Sequence, residues 1–395
     1  MKFNKTYKKR TNVKIVAALL SALLTFSMLA CSKDEPANSK DNTSEITSSE
    51  ITSSLEETTA EQTTEVTTEA ATTAAPEDLS PEFINPLTGL ETEEDLSSVR
   101  PIAIMINNLK KSCPQAGVSN VDVMYECLAE GDITRLLCLI TDYSKIGEIG
   151  SIRSVRDYFL DFLQNHDAIL VHAGGSPDGY AGIKQRGINN LDGMVYEGSI
   201  FYRNQERRKA MGYEHSMMTD GQKIVSGISS LKYRTDFKEN FDNPLDFVKY
   251  GTSADMSAGQ AAEHVYIPFS VSEKVDMIYN KETGEYDRFQ FGGVAHIDSE
   301  TGEQLSFKNI FILFCDSGLV PGDDKDRIYV GTTGSDTCYY ITDGKAIEVK
   351  WTKETRDSEI VFTNLDGTPL EINRGKTYIA IAPQIRDQVM LNKAG

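Results

Sequence analysis

The side chains best able to do chemistry cluster in residues 147–180, where Arg153 and Arg156 precede His172 and the run Gly174-Gly175-Ser176-Pro177-Asp178-Gly179. Ser151 follows Gly147 and Gly150 as a good N-cap, and Ile152, Val155, Phe159, Phe162 and Leu163 recur at helical spacing, so the pattern predicts a helix from about Ser151 to Asn165. Both arginines would then lie where a helix dipole is positive and backbone N–H groups lack intrahelical partners. Something anionic should compensate. The compensating group is either an acidic neighbour such as Asp157 or Glu148, or a ligand carboxylate or phosphate held by arginine forks and free N–H groups.

Other chemistries fit less well. A nucleophilic serine would pair Ser176 with His172 or His215, but Pro177 cannot donate the oxyanion-hole N–H that the residue after the nucleophile supplies. The five histidines, 166, 172, 215, 264 and 296, are dispersed and the cysteines lack zinc spacing, so the sequence implies neither metal nor cofactor. Acid pairs such as Glu126/Glu130 and Asp161/Asp167 are the residues a glycosidase would need, yet with 59 acidic residues such pairs are expected anyway. A basic-aromatic group, Phe201, Tyr202, Arg203, Arg207, Arg208, Lys209 and Tyr213, leads to His215 and is either a solvated helix face or part of a binding surface.

The elements that must position these groups follow from hydrophobic patterning. Ile102–Ile106 is an apolar run that reads as a buried strand and delivers Asn107 and Asn108 at its end. Residues 119–141 fit either a helix capped by Ser119 or a hairpin turning at Gly131-Asp132; the β-branched and aromatic residues favour the hairpin. Ala168–Val171 is a further strand. If these strands are parallel neighbours, Asn107, Asn108, Thr141, Asp142, His172, Gly174, Gly175 and Ser176 gather beyond their carboxyl ends, where open α/β sheets bind ligands. From about Gln260 short alternating runs separated by turn formers predict a β-rich region. The expected fold is α+β or mixed α/β: an N-terminal α/β domain with a mixed sheet over 81–257, then a β-rich C-terminal domain over 258–395.

Ahead of these lie two segments of another kind. A basic start, an apolar stretch from Ile15 to Ala30 and Met28-Leu29-Ala30-Cys31 read as a secretory signal over 1–31, and resemble a bacterial lipoprotein signal in which Cys31 is lipidated. Residues 32–80 are rich in Ser, Thr and Glu and too poor in large apolar side chains to form a core, so they read as a disordered tether. As a flexible coil it would reach roughly 40 Å. Acyl chains on Cys31 make the membrane a partner, at the outer face of the cytoplasmic membrane, and the net charge of −19 argues against nucleic acid. Five cysteines follow Cys31, an odd number; the hairpin would set Cys127 and Cys138 diagonally across it, a geometry that invites one disulfide.

Several ordered pieces together resemble the YerB-like lipoprotein family, whose members carry a two-part domain of unknown function. They are Asn85-Pro-Leu-Thr-Gly-Leu, Arg100-Pro-Ile-Ala-Ile-Met-Ile-Asn-Asn, Tyr125-Glu126 with Glu130-Gly-Asp-Ile-Thr-Arg135, Ile149-Gly-Ser-Ile-Arg-Ser-Val-Arg156, Val171-His-Ala-Gly-Gly-Ser-Pro177, Tyr286-Asp-Arg288 and Asp366-Gly-Thr-Pro369. The chain keeps both histidines of the family pattern in changed settings: Glu214-His215-Ser216 stands for Pro-His-Asn, and Ala295-His296 for Pro-His. The resemblance implies an envelope location and this architecture, but no reaction. The expectation is therefore a binding or accessory protein, leaning away from an enzyme, with Asn107, Asn108, Arg153, Arg156, His172, Gly174, Gly175, Ser176, Arg203 and His215 facing an anionic or polyhydroxylated wall-derived ligand. The alternatives are a cell-wall hydrolase and a scaffold for an envelope synthesis or sporulation complex.

Overall fold

The computed structural model describes residues 80–394. The signal, Cys31 and the tether read from the sequence, apart from its last residue Ser80, lie outside them. The first strand, β1 (Ile102–Asn107), is buried at every position, as suits a strand covered on both faces. Ile102, Ile104 and Ile106 enter one apolar core, while Ala103 and Met105 enter the other.

Around β1 the predicted elements assemble. β2 (Val123–Leu128) and β3 (Thr134–Ile140) form the expected antiparallel hairpin, turning through Gly131 and Asp132, both at positive φ. β1 pairs antiparallel with β3 and parallel with β4 (Ile169–His172), which in turn runs parallel to β5 (Asn190–Asp192). On the other side of β2 lies Thr377–Ala382, parallel to it and to Asn309–Phe314; the sheet continues through Gly334–Thr342 and Lys345–Lys353. One mixed sheet of eleven strands thus draws from both regions of the chain, and the C-terminal region is strand-rich.

Helices α1 (Phe159–Gln164) and α2 (Pro177–Arg186) contribute Phe159, Leu160, Leu163 and Ile183 to the core on one face. α3 (Gln205–Met211) lies in the basic-aromatic stretch, and α4 (Gly221–Ser230) adds Ile224 and Ile228 to the core of the other face. A second sheet, His264–Pro268, Lys274–Asn280 and Glu285–Gln290, packs against that same core through Val265, Ile267, Val275, Met277 and Tyr286. Among the described residues no helix is long and apolar enough to cross a membrane.

Three expectations need correction. The helix begins at Phe159, not Ser151, because residues 151–155 are extended and hydrogen-bonded to other elements. Ile152 N donates to Met217 O at 2.8 Å, Arg153 N to Met105 O at 2.9 Å and Val155 N to Gly174 O at 3.0 Å. At the start of this crossing the chain runs so close to Met217 and Met218 that a Cβ on Gly150, whose φ is +151°, would fall 2.7 Å from the Met218 sulfur. Tertiary hydrogen bonds override the helical spacing, and the helix-dipole argument for Arg153 and Arg156 lapses. Second, β3 is antiparallel to β1, so Thr141 and Asp142 lie at the end opposite Asn107, where Arg135 stands instead. Third, Cys127 and Cys138 enter opposite cores across the sheet, and all five described cysteines are free thiols.

Candidate functional site

Most of the predicted residues fall into two neighbouring groups rather than one, while Asn108 turns into a third, buried group. In the first, Asn107 Nδ2 faces His215 Nδ1 at 2.9 Å and Ser151 Oγ at 3.4 Å. Arg153 reaches the exposed Glu214 carboxylate at 3.3 Å, while its Nε is buried without a hydrogen-bond partner among the described residues. Burial holds the His215 pKa below its usual value; Glu214 opposes this, and Arg153, Lys111 and Arg207 reinforce it. Arg203 is spent elsewhere, on Glu197 at 3.3 Å, on Tyr213 O at 3.0 Å and over the Tyr213 ring at 3.9 Å. Both ring nitrogens of the buried His172 are occupied as well, by Gly174 O at 2.8 Å and Asn190 Oδ1 at 3.1 Å.

The second group surrounds the start of α2. Ser176 is its N-cap, with Oγ accepting from Gly179 N at 3.1 Å, and Pro177 follows at the first helical position. The N–H of Gly174 is held by Asp192 at 2.9 Å and that of Ser176 by Val155 O at 3.2 Å, so neither is free to cradle an anion. The Arg156 side chain forks onto Glu130, which Arg135 also reaches at 3.2 Å. Burial would raise the Glu130 pKa, but the two guanidinium groups outweigh it and hold the carboxyl at about 2. The acidic neighbour, not a ligand, therefore compensates Arg156.

Against this group leans the antiparallel pair Ser317–Leu319 and Ile328–Val330 from the C-terminal region. Between them open cavities of about 300 and 440 Å³ that share Arg156, Ser176 and Arg327 as lining residues. Arg327 binds Asp323 at 2.5 Å, and its Nε has no partner among the described residues. Arg356, on the same wall, binds Asp157 at 2.8 Å and Asp161 at 2.9 Å. Tyr329, a residue 45 % exposed, adds an aromatic ring to this wall. The wall alternates guanidinium and carboxylate groups beside an aromatic ring, a surface suited to hydroxyl groups, which both donate and accept, and to the apolar face of a sugar.

Sequence reasoning missed a third group, sealed inside the fold. Glu126 and Arg288 have fully buried side chains and pair at 2.5 Å. The Glu126 carboxylate also accepts from Tyr378 at 2.6 Å, Thr134 at 2.6 Å and Asn108 at 3.2 Å. Arg288 can only donate, so His296 Nδ1 accepts from it and His296 Nε2 donates to Gln115 Oε1 at 3.0 Å. Burial, with Arg288 adding to it, keeps His296 neutral, well below its usual pKa. Gln115 Nε2 completes the circuit to Asn108 Oδ1 and Asn107 O, each at 3.0 Å. The clue was partial: Glu126 interrupts the buried strand β2, and Arg288 falls on the buried face of an alternating strand, where a charge requires a partner. The acid pairs proposed for glycoside cleavage dissolve accordingly, since Glu126 is enclosed, Asp161 binds Arg186 and Arg356, and Asp167 binds Arg100 and Arg234. Among the described residues no cluster of three metal-ligating side chains occurs.

A mixed sheet completed by the last strand of a β-rich half, and sealed by a charge pair between the two halves, defines a two-part class of domain. Two family models match it, described as the N-terminal and C-terminal domains of a protein of unknown function (DUF3048), over residues 87–234 and 265–379. The chain belongs to this YerB-like family. It is 30% identical over 304 residues, 76% of its length and 86% of the relative's, to the Bacillus subtilis (strain 168) protein named "Putative lipoprotein YerB". The crystal structure of YerB from Bacillus subtilis matches with a TM-score of 0.66 at 28% sequence identity, covering 78% of this chain and 99% of that one. The match thus spans nearly the whole of the crystallised chain.

Proposed function

We propose that this protein is a lipid-anchored, extracytoplasmic binding protein of the bacterial envelope, whose cleft between the start of α2 and the 317–330 hairpin takes a polyhydroxylated fragment of wall material. The carrying observation is the pair of adjoining cavities that share Arg156, Ser176 and Arg327, with Tyr329 on the wall. In this reading Arg156, Gly175 and Ser176 line the ligand site, joined by Arg327 and Tyr329, which the sequence did not single out. Asn107, Arg153 and His215 form a flanking corner, and His172, Gly174, Asn108 and Arg203 act as supports. Ser176 Oγ serves as a helix cap, which favours binding over acyl transfer. Anchoring through Cys31 is supported by the name of the relative and by the basic, apolar start of the chain. The parts 81–257 and 258–395 work as one binding body, a division supported by the two family models meeting between 234 and 265.

The test is calorimetric titration of residues 80–395 with size-fractionated peptidoglycan glycan fragments, with product release followed in parallel. Saturable binding is expected, weakened at least tenfold in Arg327→Ala and in Tyr329→Ala at unchanged melting temperature. Binding that both variants retain would remove the cleft from the site. Fragments shortened by the protein would replace binding with hydrolysis.

A further inference from the structure

A different cavity lies where the segment after β1 meets the C-terminal half. It measures about 350 Å³, and Pro114, Phe291, Val294, Ala295 and Ile297 give it apolar walls. That is the lower end of the range of ligand pockets, the size of a molecule with about a dozen heavy atoms. None of the residues assigned above to the wall-fragment cleft lines it.

Its inner end is not apolar. Gln290 is 2 % exposed, and its Oε1 accepts from Arg288 at 3.2 Å, which fixes the orientation of the amide. The NH2 group is thereby turned to Cys113, whose sulfur at 3.8 Å is its sole partner among the described residues. A thiol is among the weakest acceptors a protein offers, so a buried amide donor faces the cavity nearly unspent. The buried charge pair beneath holds Arg288, and through it Gln290, in place. Burial pushes the Cys113 pKa up to about 11, so the wall there is a neutral thiol and not a thiolate. At the rim stands Lys110, exposed and without an ion-pair partner among the described residues.

We propose that this cavity binds one medium-length acyl ester, its chain against Phe291, Val294, Ala295 and Ile297 and its carbonyl oxygen accepting from Gln290 Nε2. The apolar walls reward a hydrocarbon chain, and the oriented amide rewards a single acceptor oxygen at the inner end. Lys110 favours an ester that carries an anionic group at the rim. The same chemistry is supplied by a free ester or by the acyl chain of an anionic lipid.

The experiment titrates residues 80–395 with methyl octanoate and, separately, with dioctanoyl phosphatidylglycerol below its micellar concentration, reading binding by saturation-transfer NMR. Ala295→Phe fills the cavity, Gln290→Leu removes the donor, and Lys110→Glu reverses the charge at the rim. Saturable binding of methyl octanoate, weakened at least tenfold by Ala295→Phe and by Gln290→Leu, supports the site with a free ester as ligand. Binding confined to the phosphatidylglycerol, with the same losses and a further one in Lys110→Glu, supports it with a lipid as the source. Absence of binding by both probes, or binding that survives Ala295→Phe or Gln290→Leu in a variant that melts cooperatively, overturns it.

Discussion

Glu273 offers a direct measure of the electrostatics at the junction. It is 4 % exposed, and its carboxyl accepts no hydrogen bond among the described residues. Burial pushes its pKa from an ordinary 4.5 up to about 8, with repulsion from Glu126 adding to the effect and Arg288 opposing it. The folded protein therefore holds a proton that the unfolded chain releases. With the folded pKa raised, the stabilising contribution is whole below pH 4.5 and is lost as pH rises towards 8. Over that interval, at about 1.4 kcal/mol per pH unit, the loss approaches 5 kcal/mol, and hydration near the surface reduces it to about 3 kcal/mol. Glu273→Gln carries a permanent neutral mimic of the protonated side chain. Urea denaturation at pH 5 and at pH 8.5 should show the variant gaining about 3 kcal/mol on the wild type between the two conditions. Other titrating groups cancel in that difference. A gap that stays constant with pH would refute the reasoning and place Glu273 in contact with water.

Two further outcomes follow from the buried groups. Arg288→Met leaves the Glu126 carboxylate enclosed without its cation and should cost about 3–5 kcal/mol in urea denaturation, with most of it recovered by adding Glu126→Gln; a near-neutral single variant would contradict the sealed pair. Because Cys127 and Cys138 enter opposite cores, dithiothreitol should leave the melting temperature unchanged, and thiol titration of unfolded residues 80–395 should count all five cysteines as free. A lower count without reductant would contradict the free thiols, and mapping the bridged pair would show whether Cys127 and Cys138 are joined, which alone would require a different register between β2 and β3.

The strands were legible because their signals are local. Ile102–Ile106 is an unbroken apolar run, and the β2–β3 hairpin announces itself through alternation around Gly131-Asp132. The 151–158 segment was misread because its hydrogen-bond partners are distant in sequence: Met217, Met105 and Gly174 take up N–H groups that a helix would have used internally. Strand direction was illegible for a similar reason. A hairpin fixes β2 against β3, but only the assembled sheet sets β3 antiparallel to β1 and sends Thr141 away from Asn107.

The arginines show why residue type alone could not locate the site. In a chain with 59 acidic residues, Arg156, Arg203 and Arg153 each met a carboxylate, Glu130, Glu197 and Glu214 respectively. What separates a supporting charge from one that can meet a ligand is unspent hydrogen-bonding capacity in reach of a cavity, and that depends on tertiary geometry. Asn107 and Asn108 make the same point from inside the fold. Asn107, the last residue of β1, turns to His215, while Asn108, just past the strand end, turns the other way to Glu126, Thr134 and Gln115. Through Gln115 the second reaches His296, so His215 and His296 both attach to one asparagine pair at the end of β1. Gln115 Nε2 binds the Asn108 side chain and the Asn107 main-chain carbonyl at once, so a substitution at Asn108 should disturb His296 through Gln115, whereas one at Asn107 keeps that carbonyl and acts on His215.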